Sequence, residues 1–326
     1  MKKLLSLVLL LSCLALPLGT LTACGDSRPL VGIIQFGAHA SLNNCYTGIL
    51  AALADAGITE ENTRIEHLDS NFSVETATAQ AKKLAGEGAR VIIAIATPTA
   101  IAAGTAVAAS GLSCPVVYCA VTDAAQVANF SGMTGTSDVP DFAAQLSLVR
   151  AFFGRDALRI GVLMSTAESS DAAQLAALRA ACAAYPGMEI VTRTVTDVAT
   201  LPTRTDELIA AGIDCMVNLL DNTVVGQLPT ILQKTDAAGI PVFGSEVEQV
   251  RAGCVASASI DYLTVGRLSG EQAASVFAGT AVSDVAPRTM ENETKPYYNA
   301  AALAKFPALS RPTDFPGLTE IGEAGA

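Results

Sequence analysis

Charge is scarce in this chain of 326 residues: Asp, Glu, Lys and Arg together make up 16%, against 51% hydrophobic residues. That balance excludes intrinsic disorder and suits large parallel sheets covered by Ala-rich helices. Basic residues are the scarcer sign, and a net charge of −11 leaves no basic stripe for a phosphate backbone, so nucleic acid is excluded as a partner. Histidine occurs only twice, at His39 and His67, with no ligand clustering, and no metal site is expected. None of the 8 cysteines forms a C-x-x-C pair; most are expected to be small buried hydrophobes, with one disulfide open to an exported chain. G-x-S-x-G, P-loop and H-E-x-x-H motifs are missing, and the loop after the first strand, GAHASLNN, lacks the G-x-G-x-x-G of a dinucleotide fold. These absences argue against an enzyme and against an organic cofactor.

What is present begins with an address. Lys2 and Lys3 precede an uncharged apolar run from Leu4 to Leu18, then Leu21-Thr22-Ala23-Cys24. The run is too short to span a bilayer. The tetrad resembles the lipobox of bacterial lipoproteins, in which the cysteine is lipidated and becomes the first residue. Residues 1–23 are thus read as a lipoprotein signal peptide, Cys24 as the lipidation site and 24–29 as a tether to the membrane.

The segment from Val91 to Thr122 carries no charge, yet Pro98, Gly104, Gly111 and Pro115 cut it into strand, helix, turn and strand. Its first part, VIIAI, has the unbroken apolar pattern of a strand buried on both faces. Thr97 is expected to cap the helix that follows, with Pro98 at its first position. Such a helix start aims free N–H groups into the crevice where open α/β sheets bind ligands.

The rest alternates strand and helix: strands at Leu30–Phe36, Arg64–Leu68 and Pro115–Val121, and helices at Cys45–Ala56 and Val74–Gly86. A second series then starts at Arg159–Met164, and its order and spacing repeat the first. GARVIIAIATPTA is answered by GIDCMVNLLDNTV, so the helix start Asp221-Asn222-Thr223 stands where Thr97-Pro98-Thr99 stands. The expected class is α/β, two doubly wound parallel-sheet lobes joined by a three-strand hinge. Lobe 1 is assigned 30–138 and 252–282, lobe 2 is assigned 139–251 and 283–314, and 315–326 is read as a C-terminal tail. The strand Cys254–Ile260 is placed on the first lobe, where a sheet edge is on offer.

Several motifs stand together here: Gln35-Phe36 with His39-x-x-Leu42, Ile95-Ala96-Thr97-Pro98-Thr99-Ala100, Ala120-Val121-Thr122-Asp123, Gly135-x-Ser137-Asp138, Asp221-Asn222-Thr223-Val224, and Asp261-Tyr262 before Gly266. On these the chain, from Leu30 to Pro307, resembles the ABC-transporter substrate-binding lipoproteins whose better-known members take up tryptophan, tyrosine or similar amino acids. The resemblance implies the type I periplasmic-binding fold, a small amino-acid-like ligand held between the lobes, and ABC permease and ATPase subunits as partners. It departs at Asn43, at Ala124 after Thr122-Asp123, and at Leu220 before Asp221, all near the cleft.

A zwitterionic ligand needs N–H donors for its carboxylate and acceptors for its ammonium. Thr97, Pro98 and Thr99 are expected to supply the donor end, and Asp123, Asp138 and Asp221 are the candidate acceptors. Phe36 and Tyr262 could form a stacking wall, His39 could hydrogen-bond the ligand, and Gln35 and Glu246 are weaker candidates. Thr122, Ser137, Asn222, Thr223 and Asp261 join the site through their motifs. The chain is expected to act as a monomer. A sensory lipoprotein that signals to a membrane receptor without import would use the same two-lobed clamp, and a lipoprotein hydrolase is a more distant alternative.

Overall fold

The computed structural model describes residues 26–290 and 293–322; the expected signal peptide and Cys24 lie outside the described residues. Lobe 1 is built on a six-stranded sheet, and its strands are β1 (Leu30–Gln35), β2 (Arg64–Asp69), β3 (Val91–Ile95), β4 (Val116–Val121), β5 (Met133–Ser137) and β11 (Arg288–Thr289). They run in the order β11-β5-β4-β3-β1-β2, all parallel. β1, β3 and β4 are buried at every position, as unbroken apolar runs require, whereas the edge strand β2, RIEHLD, is only partly covered.

Helices α1 (Ala40–Asp55), α2 (Val74–Gly86) and α3 (Thr97–Ser110) cover the two faces. The last helix of the lobe, α10 (Tyr262–Phe277), packs against α1 so closely that a Cβ on Gly48 would lie 2.2 Å from the Leu263 carbonyl oxygen. A Cβ on Gly266 would lie 2.1 Å from that of Cys45.

Lobe 2 repeats the plan on fewer strands: β6 (Arg159–Ser165), β7 (Glu189–Val195), β8 (Cys215–Val217) and β9 (Val242–Phe243), in the parallel order β7-β6-β8-β9. Its helices are α4 (Phe142–Phe153), α5 (Asp171–Cys182), α6 (Leu201–Ala210), α7 (Asn222–Val225), α8 (Leu228–Ala237) and α9 (Val247–Arg251). The remaining strands, β10 (Ala256–Ser259), β12 (Lys295–Tyr298) and β13 (Thr319–Glu320), form a small mixed sheet, and α11 (Ala300–Leu303) follows β12.

Several expectations are corrected by backbone pairing. The strand from Cys254 lies beside β9, not on lobe 1: Val255 N donates to the Val242 carbonyl (2.8 Å) and Gly244 N to that of Ala256 (3.0 Å). Lobe 1's sheet is already closed on that side by β11, which pairs with β5 at Arg288 and Thr289 and so takes residues assigned to lobe 2. The tail is also structured, because β13 pairs with β12 and Phe315 and Leu318 pack on the lobe 2 core. The chain therefore crosses between lobes after β5, between β10 and α10, and between β11 and β12.

All six described cysteines are free, and all but Cys182 are buried. Among the described residues no helix is long and apolar enough to cross a membrane.

Candidate functional site

On lobe 1 the site begins where β3 ends. Ala96, not Thr97, occupies the cap position, with φ 85° and ψ 154°, a conformation that strains a residue with a Cβ. Thr97 is the first helical residue, and its hydroxyl is used sideways: Oγ1 accepts from Thr122 N at 3.0 Å, tying the end of β3 to that of β4. Thr99 Oγ1 donates back to the Ala96 carbonyl (2.8 Å). Thr97, Pro98 and Thr99 are all buried, so this turn presents backbone N–H groups and the positive end of a 14-residue helix.

The corresponding rim of lobe 2 has the opposite character, for Glu168, Asp171 and Asp221 converge on the end of β6, none of them more than 4% exposed. Ser165 N donates to Asp221 Oδ2 (2.6 Å) and to Asp171 Oδ2 (2.9 Å). Asp221 Oδ1 accepts from Ser165 Oγ (3.1 Å), Thr223 N (2.9 Å) and Val224 N (3.0 Å). Asp221 is therefore the cap of α7, and its oxygens are occupied by donors of the protein.

Glu168 accepts from Asn222 Nδ2 at 2.7 Å and from the Ser170 hydroxyl at 3.2 Å. Burial, reinforced by the Asp221 charge, pushes the Glu168 carboxyl up to about 8. The same two causes raise Asp171 well above the usual carboxylate range. Among the described residues no cation pairs with this cluster.

The two rims meet. Leu220 of lobe 2 belongs to the same apolar cluster as Phe36, Ala96 and Ala120 of lobe 1. His39 Nε2 stands 3.0 Å from Asn222 Oδ1, while its Nδ1 is buried without a partner; burial lowers the imidazole's pKa. Asn44 Nδ2 donates to Glu248 Oε1 (3.0 Å), Gln126 Nε2 to the Ser169 carbonyl (3.0 Å), and the Ser41 hydroxyl to Glu246. Toward the hinge, Tyr262 OH donates to Asp138 Oδ2 at 2.8 Å. Burial pushes Asp138 up to about 6 and Glu246 up to about 7.

Helix α1 starts at Ala40, several residues before its expected beginning, with His39 at its cap. The polar residues that made 37–44 read as a loop are satisfied by tertiary partners instead: Ser41 and Asn44 by lobe 2, and Asn43 by Gln35, whose Nε2 donates to Asn43 Oδ1 and to the Gly37 carbonyl, both at 2.9 Å.

The predicted residues therefore separate into groups. Thr97, Pro98, Thr99, Thr122, His39, Asp221, Asn222 and Thr223 stand on the facing rims, with Ser137, Asp138 and Glu246 at the hinge side. Phe36 and Tyr262 are core residues, 0% and 2% exposed, and do not form a wall. Gln35 braces the loop behind the rim. Asp123 and Asp261 are caps, accepting from Ala125 N (3.1 Å) and Leu263 N (3.0 Å), as residues flanking a helix start do. Glu168, Asp171 and Phe72 were missed. The internal repeat was the signal for the first two, because 166–171 follows β6 as 36–42 follows β1, the stretch that holds His39.

Two parallel-sheet lobes, three crossings and strand ends facing one cleft define the type I periplasmic-binding fold. The family model described as ABC transporter substrate binding protein matches residues 30–306, and the chain belongs to that family. It is 28% identical over 281 residues to the tyrosine-binding protein of Clostridioides difficile strain R20291, covering 84% of this chain and 79% of that protein. Among solved structures it is similar to an ABC domain from Streptococcus pneumoniae in complex with L-Trp, with a TM-score of 0.83 and 23% identity over 90% of this chain and all of the other. Against a ligand-free, open substrate-binding protein with adhesive properties from Clostridium difficile the TM-score is 0.65, with 26% identity over 91% of this chain and all of that one.

Proposed function

We propose that this protein is the extracytoplasmic, lipid-anchored receptor of an ABC importer, and that it closes its lobes on an aromatic or branched amino acid. The observation that carries the reading is the opposite character of the facing rims. The N–H groups at the start of α3 suit a carboxylate, and the uncompensated carboxyls of lobe 2 suit an ammonium. Glu168, which bonds only neutral groups, is the acceptor of choice, with Asn222 and His39 holding it in place. The relatives named for tyrosine and crystallised with L-Trp support the ligand class. The tetrad ending at Cys24 supports the anchor.

Thermal-shift and calorimetric titration against amino acids, nucleosides and sugars tests this. A ligand at 100 times its Kd should stabilise the fold by about 2.7 kcal/mol. A response to sugars alone would overturn it. Glu168→Gln should cost about 1.5–3 kcal/mol of affinity, because it removes a charge-assisted bond to the ammonium. An ammonium also favours the ionised carboxylate, so binding at pH 7 should release protons, read from titrations in buffers of different ionisation enthalpy. Cys24→Ala should free the chain from membrane fractions, and retention of that variant would count against the lipobox.

A further inference from the structure

Between the lobes lies a partly open cavity of about 310 Å³, at the edge of the cleft formed by β2 and β7 and away from the crossings. That is near the lower end of the roughly 300–1,000 Å³ typical of small-molecule sites. Phe72 lines it from lobe 1, and Ser165, Ala167, Val198, Thr223 and Gln227 line it from lobe 2. Ser165 and Thr223 are two of the residues whose backbone N–H groups donate to Asp221, so the cavity abuts the carboxyl cluster.

Phe72 is held there at a conformational cost. Asn71 and Phe72 have φ of 50° and 59°, two consecutive left-handed residues with side chains. They are fixed by Asn71 N donating to Asp69 Oδ1 and by Phe72 N donating to the Phe36 carbonyl, each at 2.7 Å. Both lobes make room for the ring with glycine: a Cβ on Gly37 would lie 2.4 Å from it, and one on Gly226 would lie 3.0 Å away. Its ring meets Phe36 edge-on, with centroids 5.8 Å apart and planes at 82°. Thr223 also lines the cavity, and its Oγ1 is buried and has no partner.

We infer that this cavity receives the side chain of the bound amino acid, with Phe72 as the residue that selects flat aromatic side chains and Thr223 as the partner for a hydroxyl or ring N–H on them. The inference rests on the amino-acid reading of the cleft. Aromatic pairs favour offset or edge contacts over simple burial, and a buried hydroxyl without a partner rewards a ligand that supplies one.

Titration of the soluble chain from Ser27 onward, with L-tryptophan, L-tyrosine, L-phenylalanine and L-alanine, tests it. If the parent binds none of them, the amino-acid reading fails and takes this inference with it. If it binds them, Phe72→Ala should weaken the aromatic ligands by about tenfold or more and leave L-alanine within about twofold. Ala167→Leu, at a partly exposed position, should give the same pattern by filling the cavity, and it keeps the test valid should Phe72→Ala fail to fold. Thr223→Val should narrow the gap between L-tyrosine and L-phenylalanine. Aromatic affinities unchanged in Ala167→Leu, or an equal loss for all four ligands, would overturn the side-chain assignment while leaving the amino-acid reading intact.

Discussion

The two lobes share one topology and differ in what they place at the same point of it. After β3, lobe 1 puts an uncharged turn whose hydroxyls are tied to backbone; after β8, lobe 2 puts an aspartate cap inside a cluster of carboxyls. A helix start can thus offer donors or surround itself with acceptors, and the neighbouring loop decides which. In lobe 1 that loop brings His39, and in lobe 2 it brings Glu168 and Asp171.

Exchanging the two helix starts for inert residues would break the comparison most sharply. Asp221→Ala leaves Thr223 N and Val224 N without their acceptor and Ser165 N with Asp171 alone, and should cost roughly 2–4 kcal/mol of stability. Thr97→Val removes one acceptor, for Thr122 N, and should cost about 1 kcal/mol. Chemical denaturation of both variants checks this, and equal losses would mean that the charged cluster adds nothing structural.

Glycine contacts give the next largest contrast. Gly266→Ala drives a methyl group against the Cys45 carbonyl oxygen of α1, which cannot move alone, and should cost roughly 1–3 kcal/mol. In lobe 2, Gly161→Ala meets the flexible tip of Ile213 at 2.6 Å and should cost less. Melting temperatures would rank the two, and the reverse order would contradict the packing described for α1 and α10.

The buried carboxyls should make stability depend on pH. Their folded pKa values, about 6 for Asp138, 7 for Glu246 and 8 for Glu168, lie above the unfolded values near 4, so the native state binds more protons between those limits. That contribution is complete below pH 4 and is lost as pH rises toward 8, so the melting temperature of the unliganded protein should fall from pH 5 to 8. Glu168→Gln should flatten the upper part of that slope, and an unaltered slope would place the titration elsewhere. The smallest effects belong to the solvent-facing caps, since Asp123→Ala and Asp261→Ala should each cost about 1 kcal/mol or less and leave Kd unchanged. A lost affinity in either would return it to the site.

Sequence alone determined the two-lobed α/β class, because unbroken apolar runs such as VIIAI and LVGIIQ can only be strands buried on both faces, and the repeat of GARVIIAIATPTA in GIDCMVNLLDNTV requires two copies of one topology. It also located both helix starts, since strand ends in parallel sheets are set by local pattern. Only the tertiary structure decided which lobe holds β10, because a short buried strand pairs with whichever sheet edge is open, and β11 had closed the one on lobe 1. It likewise decided the roles of the acids. Asp123, Asp221 and Asp261 read alike in sequence, yet Asp221 is fully buried beside Glu168 and Asp171 while the other two cap helices toward solvent. Burial and neighbouring charge set what a carboxylate can do, and both come from segments far away in the chain.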